Sequence, residues 1–188
     1  MLHPHVEKRA SGVEGYGLFA KQPIKKDEIV WKLDPDAQLL TLAEVAAGPP
    51  DYRRYAIQSR NRYFLSQDHI ELMNHSCDPN TWYEGDFQRV AHRDIQPGEE
   101  ITLDYSTIEV EPPYRFSWEC RCGAPHCRKR ITNDDCLDHG FQERYKGHLP
   151  SWTVEYIEHR NKNFPALDCN SSRIFTRRRF GSLHARGT

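Results

Sequence analysis

A chain of 188 residues with 37% apolar content is long enough for one domain and a short appendage. Its charges nearly cancel, with 26 Lys and Arg against 27 Asp and Glu for a net charge of −1, and this argues against direct binding of nucleic acid. No stretch approaches the ~18 apolar residues of a membrane helix, and the polar run Met1–Ser11 has no leader-like core, so an intracellular protein is expected, nuclear or cytoplasmic, with no membrane partner.

Counted with Gly in place of Tyr, the apolar share is near ~38%, below the ~45–50% usual for globular domains. Something besides apolar burial is therefore expected to help hold the fold. Short β-like runs at Leu18–Lys21 and Glu28–Leu33 flank a Gln22-Pro23 break. Thr41-x-x-Glu44 is a capping box, and it opens a short helix that Gly48 and two prolines stop. Asp51–Arg60 predicts a second short helix with Tyr52, Tyr55 and Ala56 on one face. Tyr63–Leu65 and Ile70–Met73 read as brief strands. Thr81–Tyr83 and Phe87–His92 flank Glu84-Gly85-Asp86 as a hairpin. Gln96-Pro97-Gly98-Glu99 is a turn into the strand Ile101–Tyr105. Strands this short and this close together predict a mainly β, α+β fold of small sheets.

The composition shifts after Pro112-Pro113, where residues 114–131 are rich in Cys, Arg and aromatics. From Asp134 the pattern turns helical, with Leu137, Phe141 and Tyr145 at i, i+4 and i+8 and Gly147 as C-cap. Ser151–Asn161 predicts a second helix. The last ~20 residues lack periodicity and are expected to fray, with Arg177-Arg178-Arg179 as a solvated tail.

Of six cysteines, Cys120, Cys122 and Cys127 fall within eight residues. Clustered thiols in a reducing compartment point to metal, and zinc takes four soft or borderline ligands in a tetrahedron. Spacing supplies three ligands and leaves the fourth among Cys77, Cys136 and Cys169. As isolated cysteines, Cys136 and Cys169 are expected to be small apolar packers.

Four segments, in this order, resemble one family: Glu14-Gly15-Tyr16-Gly17-Leu18-Phe19; Asn74-His75-Ser76-Cys77-Asp78-Pro79-Asn80; Gly98-Glu99-Glu100-Ile101-Thr102-Leu103-Asp104-Tyr105; and Cys120-Arg121-Cys122-Gly123 running on to Cys127-Arg128. Together they are similar to SET-domain protein-lysine methyltransferases with a post-SET zinc segment. The resemblance implies a SET domain over 4–106, a post-SET segment over 107–131 and a helical C-terminal extension over 132–188. It also implies a knot-like threading of Asn74–Asn80 beneath the loop carrying Tyr105. The implied activity is methyl transfer from S-adenosyl-L-methionine to a lysine of a protein or peptide, with histones among the candidates. The alternative is a catalytically silent SET module that binds a lysine-bearing peptide or the cofactor.

By the same resemblance, Tyr105 is the catalytic tyrosine, and Glu14, Gly15, Tyr16, Gly17, Tyr63, Asn74, His75, Arg121 and Ile131 are cofactor contacts, with Trp118 near them. Tyr63, Tyr83 and Leu103 are expected along the lysine channel. Cys77 becomes the fourth ligand of one structural Zn²⁺ beside Cys120, Cys122 and Cys127. Two positions depart from the family pattern. Leu103 stands where Phe or Tyr often limits methyl number, and Glu71 stands where many members have Arg, which leaves the cofactor carboxylate to another base such as Arg60 or Arg62.

Overall fold

Among the described residues the strands are at most five residues long and fall into four sheets. The computed structural model describes residues 1–59, 62–110 and 117–163. Arg60, Pro112-Pro113, Cys169, Arg177-Arg178-Arg179 and the expected frayed tail lie outside the described residues. In chain order the elements are β1 (Val6–Ala10), β2 (Tyr16–Ala20), β3 (Ile29–Lys32), α1 (Leu42–Ala47), α2 (Pro50–Tyr55), β4 (Ala56–Ser59), β5 (Arg62–Leu65), β6 (Asn74–His75), β7 (Thr81–Tyr83), β8 (Gln88–Ala91), β9 (Glu100–Leu103), β10 (Ser117–Glu119), β11 (Arg130–Thr132), α3 (His139–Arg144) and α4 (Ser151–Asn163).

The main sheet has the order β1-β2-β9-β6. β9 lies inside it, antiparallel to β2 and parallel to β6, with Asn74 opposite Thr102 and His75 opposite Leu103. β6 stops after two residues because Ser76 turns the chain: its hydroxyl accepts the Asp78 N–H at 3.0 Å, and Pro79 has no N–H to offer a ladder. β3-β8-β7 forms a second sheet, and β4-β5 and β10-β11 are two-stranded hairpins.

Several elements depart from the sequence-based expectations. β1, unpredicted, pairs with β2 over five residues. The expected helix over 51–60 ends at Tyr55, and Ala56–Ser59 pairs with β5 instead, Ile57 opposite Phe64. The reason is packing. Tyr52 and Ala56 join Leu40, Val45 and Tyr63 in one small cluster while Ile57 reaches the main core, a split that one helix face could not serve. Ile70–Leu72 is a 3₁₀ turn rather than a strand, entered through His69 at φ 68°. The helical pattern from Asp134 breaks in two. Asn133–Leu137 is a 3₁₀ turn, and the Asp138 carboxylate accepts the Phe141 N–H at 2.9 Å to start α3 afresh. The capping box at Thr41 and Glu44 is present in both directions.

Polar side chains do part of the work that a 37% apolar chain leaves undone. Asn80, 1% exposed, completes the ladder beside β9: its amide donates to the Glu100 carbonyl at 2.8 Å and its Oδ1 accepts the Thr102 N–H at 2.9 Å. The Thr81 hydroxyl donates to the Thr102 carbonyl at 2.7 Å. α3 and α4 pack back on the turn after β9. Trp152 Nε1–H donates to the Ile108 carbonyl at 3.1 Å, and the Thr153 hydroxyl donates to the Thr107 carbonyl at 2.7 Å. Cys136, Phe141, Tyr145, Trp152 and Ile157 belong to the same buried cluster as Leu18, Ile24 and Ile101. Cys136 is the apolar packer expected of it, fully buried with its thiol donating to the Asn133 carbonyl.

Asn80→Ala leaves a buried N–H and a buried carbonyl of β9 without partners. The expected cost is about 2–4 kcal/mol, seen as a melting temperature lowered by roughly 5–15 °C. A fall under about 2 °C would show that the ladder closes without this side chain.

Candidate active site

A cleft of about 510 Å³ opens between the turn before β2, strand β6, the turn after β9 and the β10-β11 hairpin. Val13, Glu14, Asn74, His75, Tyr105, Trp118, Glu119, Arg121 and Ile131 line it, with Cys120 and Cys122 at its edge. Four stretches of chain that lie far apart in the sequence therefore meet here.

Asn74 forms one wall. Its Nδ2 donates to Glu100 Oε1 at 2.7 Å, to the Tyr16 carbonyl at 3.1 Å and to the Glu14 carbonyl at 3.3 Å. The nitrogen is thereby spent on protein acceptors, and Oδ1 is left as the group that can receive a ligand donor. The Ser11 hydroxyl holds Glu100 from the far side at 2.8 and 2.9 Å to its two oxygens. Gly15 adopts φ 42°, and Gly17 sits tight against this group.

Tyr105 forms the inner wall. Its hydroxyl donates to the Met73 carbonyl at 2.9 Å and its N–H donates to His75 Nδ1 at 3.1 Å. Burial pushes the phenol up to about 12, so it is neutral near pH 7. Trp118, 47% exposed, meets the Tyr105 ring edge-on at 5.8 Å and presents an indole to the cleft. Arg121 is the cation among the lining residues, and its guanidinium lies 3.4 Å from Glu119.

Beside the cleft the thiols gather. Ligand atoms of His75, Cys77, Cys120 and Cys122 all lie within 4.8 Å of one another. Cys127 is not in that group of four, but it packs against the same cluster with its Sγ 3.7 Å from the Cys120 carbonyl. His75 Nδ1 accepts from Tyr105, so the imidazole proton of the neutral ring is on Nε2. That nitrogen is 3.3 Å from Cys77 Sγ, in place to donate to it. Burial takes His75 down to about 4, which keeps the ring neutral. Burial likewise pushes the Cys77 thiol up to about 11 and Cys120 higher. At Cys122 burial is opposed by the N–H groups of Cys77 and Ala124, which bring its thiol down to about 7. Such a set fits Zn²⁺, which takes thiolates that an apolar site would otherwise keep protonated.

Glu14, Asn74, His75, Tyr105, Arg121 and Ile131 thus come together at one cleft. Gly15, Tyr16 and Gly17 are not among its lining residues: the Tyr16 carbonyl accepts from Asn74 behind the wall, and Tyr16 is 56% exposed with its ring under Lys8 Nζ. The structure does not bring Tyr63 there: its ring packs with Leu40 and Val45, because the β4-β5 hairpin and α1 build their own small core. Tyr83 and Leu103, expected along the lysine channel, are buried in the main core and are not among the cleft's lining residues, and the Tyr83 hydroxyl accepts from Arg89 Nη2 at 2.9 Å. Arg62 donates to the Leu39 carbonyl and is not among the lining residues. Glu71 is engaged by the Ser66 hydroxyl and by His69. Residue-type reasoning missed Glu100, Asp104 and Arg128 as parts of the site. Only their places inside the quoted motifs could have marked them.

A family model of the SET domain matches residues 15–106. The chain carries a SET domain. In sequence it resembles an H3 lysine-4-specific histone-lysine N-methyltransferase of Cryptococcus neoformans, 33% identical over 63% of this chain and 9% of that protein. An H3 lysine-36-specific histone-lysine N-methyltransferase of Candida albicans is 30% identical over 62% of this chain and 15% of its own length. The Su(var)3-9 histone-lysine N-methyltransferase of Drosophila pseudoobscura is 28% identical over 68% of this chain and 25% of its own length. The chain therefore spans a quarter or less of these relatives. The SET match ends at Ser106, so the thiol hairpin and α3-α4 lie beyond it. No described helix is long and apolar enough to cross a membrane.

A Cβ at Gly17 would fall 2.1 Å from Glu100 Oε1. Gly17→Ala is therefore expected to push the carboxylate off Asn74. Loss of that charged hydrogen bond predicts a destabilisation of about 1.5–3 kcal/mol, read as a lower denaturant midpoint. An unchanged midpoint would mean that Glu100 swings aside at no cost.

Proposed function

We propose that the chain is an S-adenosylmethionine-dependent protein-lysine N-methyltransferase, with histone lysines among its substrates, acting in the nucleus or cytoplasm. The observation that supports this reading most is the placement of Tyr105 on the inner wall of a cleft whose other wall is Asn74. S-adenosylmethionine, when bound, supplies an electrophilic methyl group on a sulfonium. Asn74 Oδ1, with its nitrogen already committed, offers an acceptor to a ligand ammonium. Trp118 offers an aromatic face, Ile131 an apolar one, and Arg121 a cation for a carboxylate. Glu14 adds a carboxylate at the rim.

Methyl transfer to lysine needs a neutral amine, and a free lysine, with a pKa near ~10.4, is mostly protonated at pH 7. Tyr105 does not serve as its base, because burial holds the phenol protonated. Its hydroxyl proton points to the Met73 carbonyl, which leaves the oxygen lone pairs to orient the incoming amine and the polarised methyl. The role is positioning within a partly dry cleft, where desolvation also favours the uncharged amine.

The same reading assigns one structural Zn²⁺ to Cys77, Cys120, Cys122 and Cys127. His75 supports it as a donor to Cys77 and is excluded as a ligand by its tautomer. Zinc would hold the β10-β11 hairpin, and with it Trp118, Arg121 and Ile131, against β6. Tyr63, Tyr83 and Leu103 are not assigned to the cleft.

Tyr105→Phe keeps the ring and is expected to leave cofactor affinity within about threefold while turnover on a lysine peptide falls by roughly 10²-fold or more. Calorimetry and single-turnover labelling measure the two. Near-native turnover at equal stability would remove Tyr105 from the reaction. Freshly purified protein is expected to contain about one zinc per chain with Zn–S distances near ~2.3 Å, and Cys77→Ser to contain far less. Full metal content in that variant would defeat the assignment.

A further inference from the structure

Arg128 stands between the two halves of the site. Its backbone N–H donates to Cys77 Sγ at 3.4 Å. Its guanidinium reaches the other way and holds both oxygens of Asp104, at 2.7 and 2.8 Å, while Nε lies 3.0 Å from Asp135. Asp104 has no exposed surface and runs directly into Tyr105. The turn after β9 is built on this residue. Its Oδ1 accepts the Ser106 N–H at 3.1 Å, and its carbonyl accepts the Thr107 N–H at 3.0 Å and the Thr107 hydroxyl at 2.6 Å. The Tyr105 N–H at the head of the turn goes to His75, whose other nitrogen meets Cys77 Sγ. Contacts therefore close a ring through Cys77, Arg128, Asp104, Tyr105 and His75.

The fork is the chemical point. Two parallel N–H groups fix a carboxylate in plane and in rotation, which a lysine ammonium cannot do. A buried carboxylate deprived of its cation must take up a proton or leave its place, because its desolvation is no longer offset. Either way the fork no longer fixes the turn that carries Tyr105.

We propose that Arg128 is a positioning residue that couples the metal-binding thiols to the turn carrying Tyr105, so that the catalytic hydroxyl is in place only when the thiol hairpin is docked. The consequence for turnover rests on the methyltransferase reading above. The coupling itself is measured without turnover.

Amide hydrogen exchange over residues 104–108 is followed in zinc-loaded and chelator-stripped protein, for wild type, Arg128→Met, Arg128→Lys and Tyr145→Phe. Tyr145 donates to Asp104 Oδ2 at 3.0 Å from α3's C-terminal end and touches the same carboxylate without touching the thiols. In wild type, stripping zinc is expected to speed exchange over 104–108 by about tenfold or more. Zinc-loaded Arg128→Met is expected to show that rise already, with β1 and β2 unchanged, and stripping should add under about twofold. Tyr145→Phe should keep the wild-type response to stripping. If Arg128→Met does not fold or loses its zinc, Arg128→Lys is decisive: it keeps the charge and the backbone N–H but not the fork. Faster exchange over 104–108 with zinc retained supports the proposal. Exchange equal to wild type in the zinc-loaded variant, or a full response to stripping on top of its own baseline, overturns it. A merely structural role predicts faster exchange in every strand alike. In methyl transfer, turnover should fall about tenfold or more while cofactor affinity stays within about threefold. A wild type that transfers no methyl group but shows the exchange coupling defeats the activity reading and leaves the coupling standing.

Discussion

Asp104 is a carboxylate with no exposed surface, and three stretches of chain converge on it. Arg128 arrives from the end of the thiol cluster with two hydrogen bonds, Tyr145 from the end of α3 with one, and His75 Nδ1 of β6 lies 3.7 Å away. Taking that charge out of water is costly, and it is tolerable only because the partners are many and well aimed. The arrangement makes the SET core, the hairpin and the C-terminal helices depend on one another. An apolar side chain at this point would bury as well, but it would specify neither the rotation of the turn nor the docking of the hairpin. Asp135 extends the same network, 3.0 Å from Arg128 Nε and bonded by the Thr132 hydroxyl at 2.6 Å.

The interior follows the same logic elsewhere. Asn80 and Thr81 bond the backbone of β9, Asn74 bonds the turn before β2, and Thr153 bonds the turn after β9. Each link joins segments distant in the chain. A parallel pair as short as β6-β9 has little ladder of its own, so side chains supply the hydrogen bonds that a longer strand would have supplied. The cleft exists because this polar seam stops the main sheet at β6 and leaves the space beyond it to the thiol hairpin.

The geometry also separates roles that residue type alone conflates. His75 is at once a cleft residue, an acceptor for the Tyr105 N–H and a donor to a thiol. Tyr63, Tyr83, Tyr105 and Tyr145 are all tyrosines with low exposure, yet Tyr63 belongs to a small satellite cluster, Tyr105 to the cleft wall, and Tyr83 and Tyr145 to the main core, where one accepts from Arg89 and the other donates to Asp104. Nothing in a tyrosine's immediate neighbours tells these apart, because the difference lies in which distant element meets the ring.

By itself the sequence determined the motifs whose chemistry is local. The capping box at Thr41, the turn at Gln96-Pro97-Gly98-Glu99 and the tight spacing of Cys120, Cys122 and Cys127 each follow from backbone rules and ligand preferences acting over a few residues. The order of the four quoted segments was enough to point to the SET domain, which the match over residues 15–106 bears out. Tertiary structure decided the rest. It made Ala56–Ser59 a strand, because β5 offers ladder partners that a helix forgoes, and it placed Tyr63 in the core that hairpin creates. It also gave Arg128 and Asp104 their importance. Each is an ordinary charge in sequence, and becomes a constraint only when folding removes the water between them.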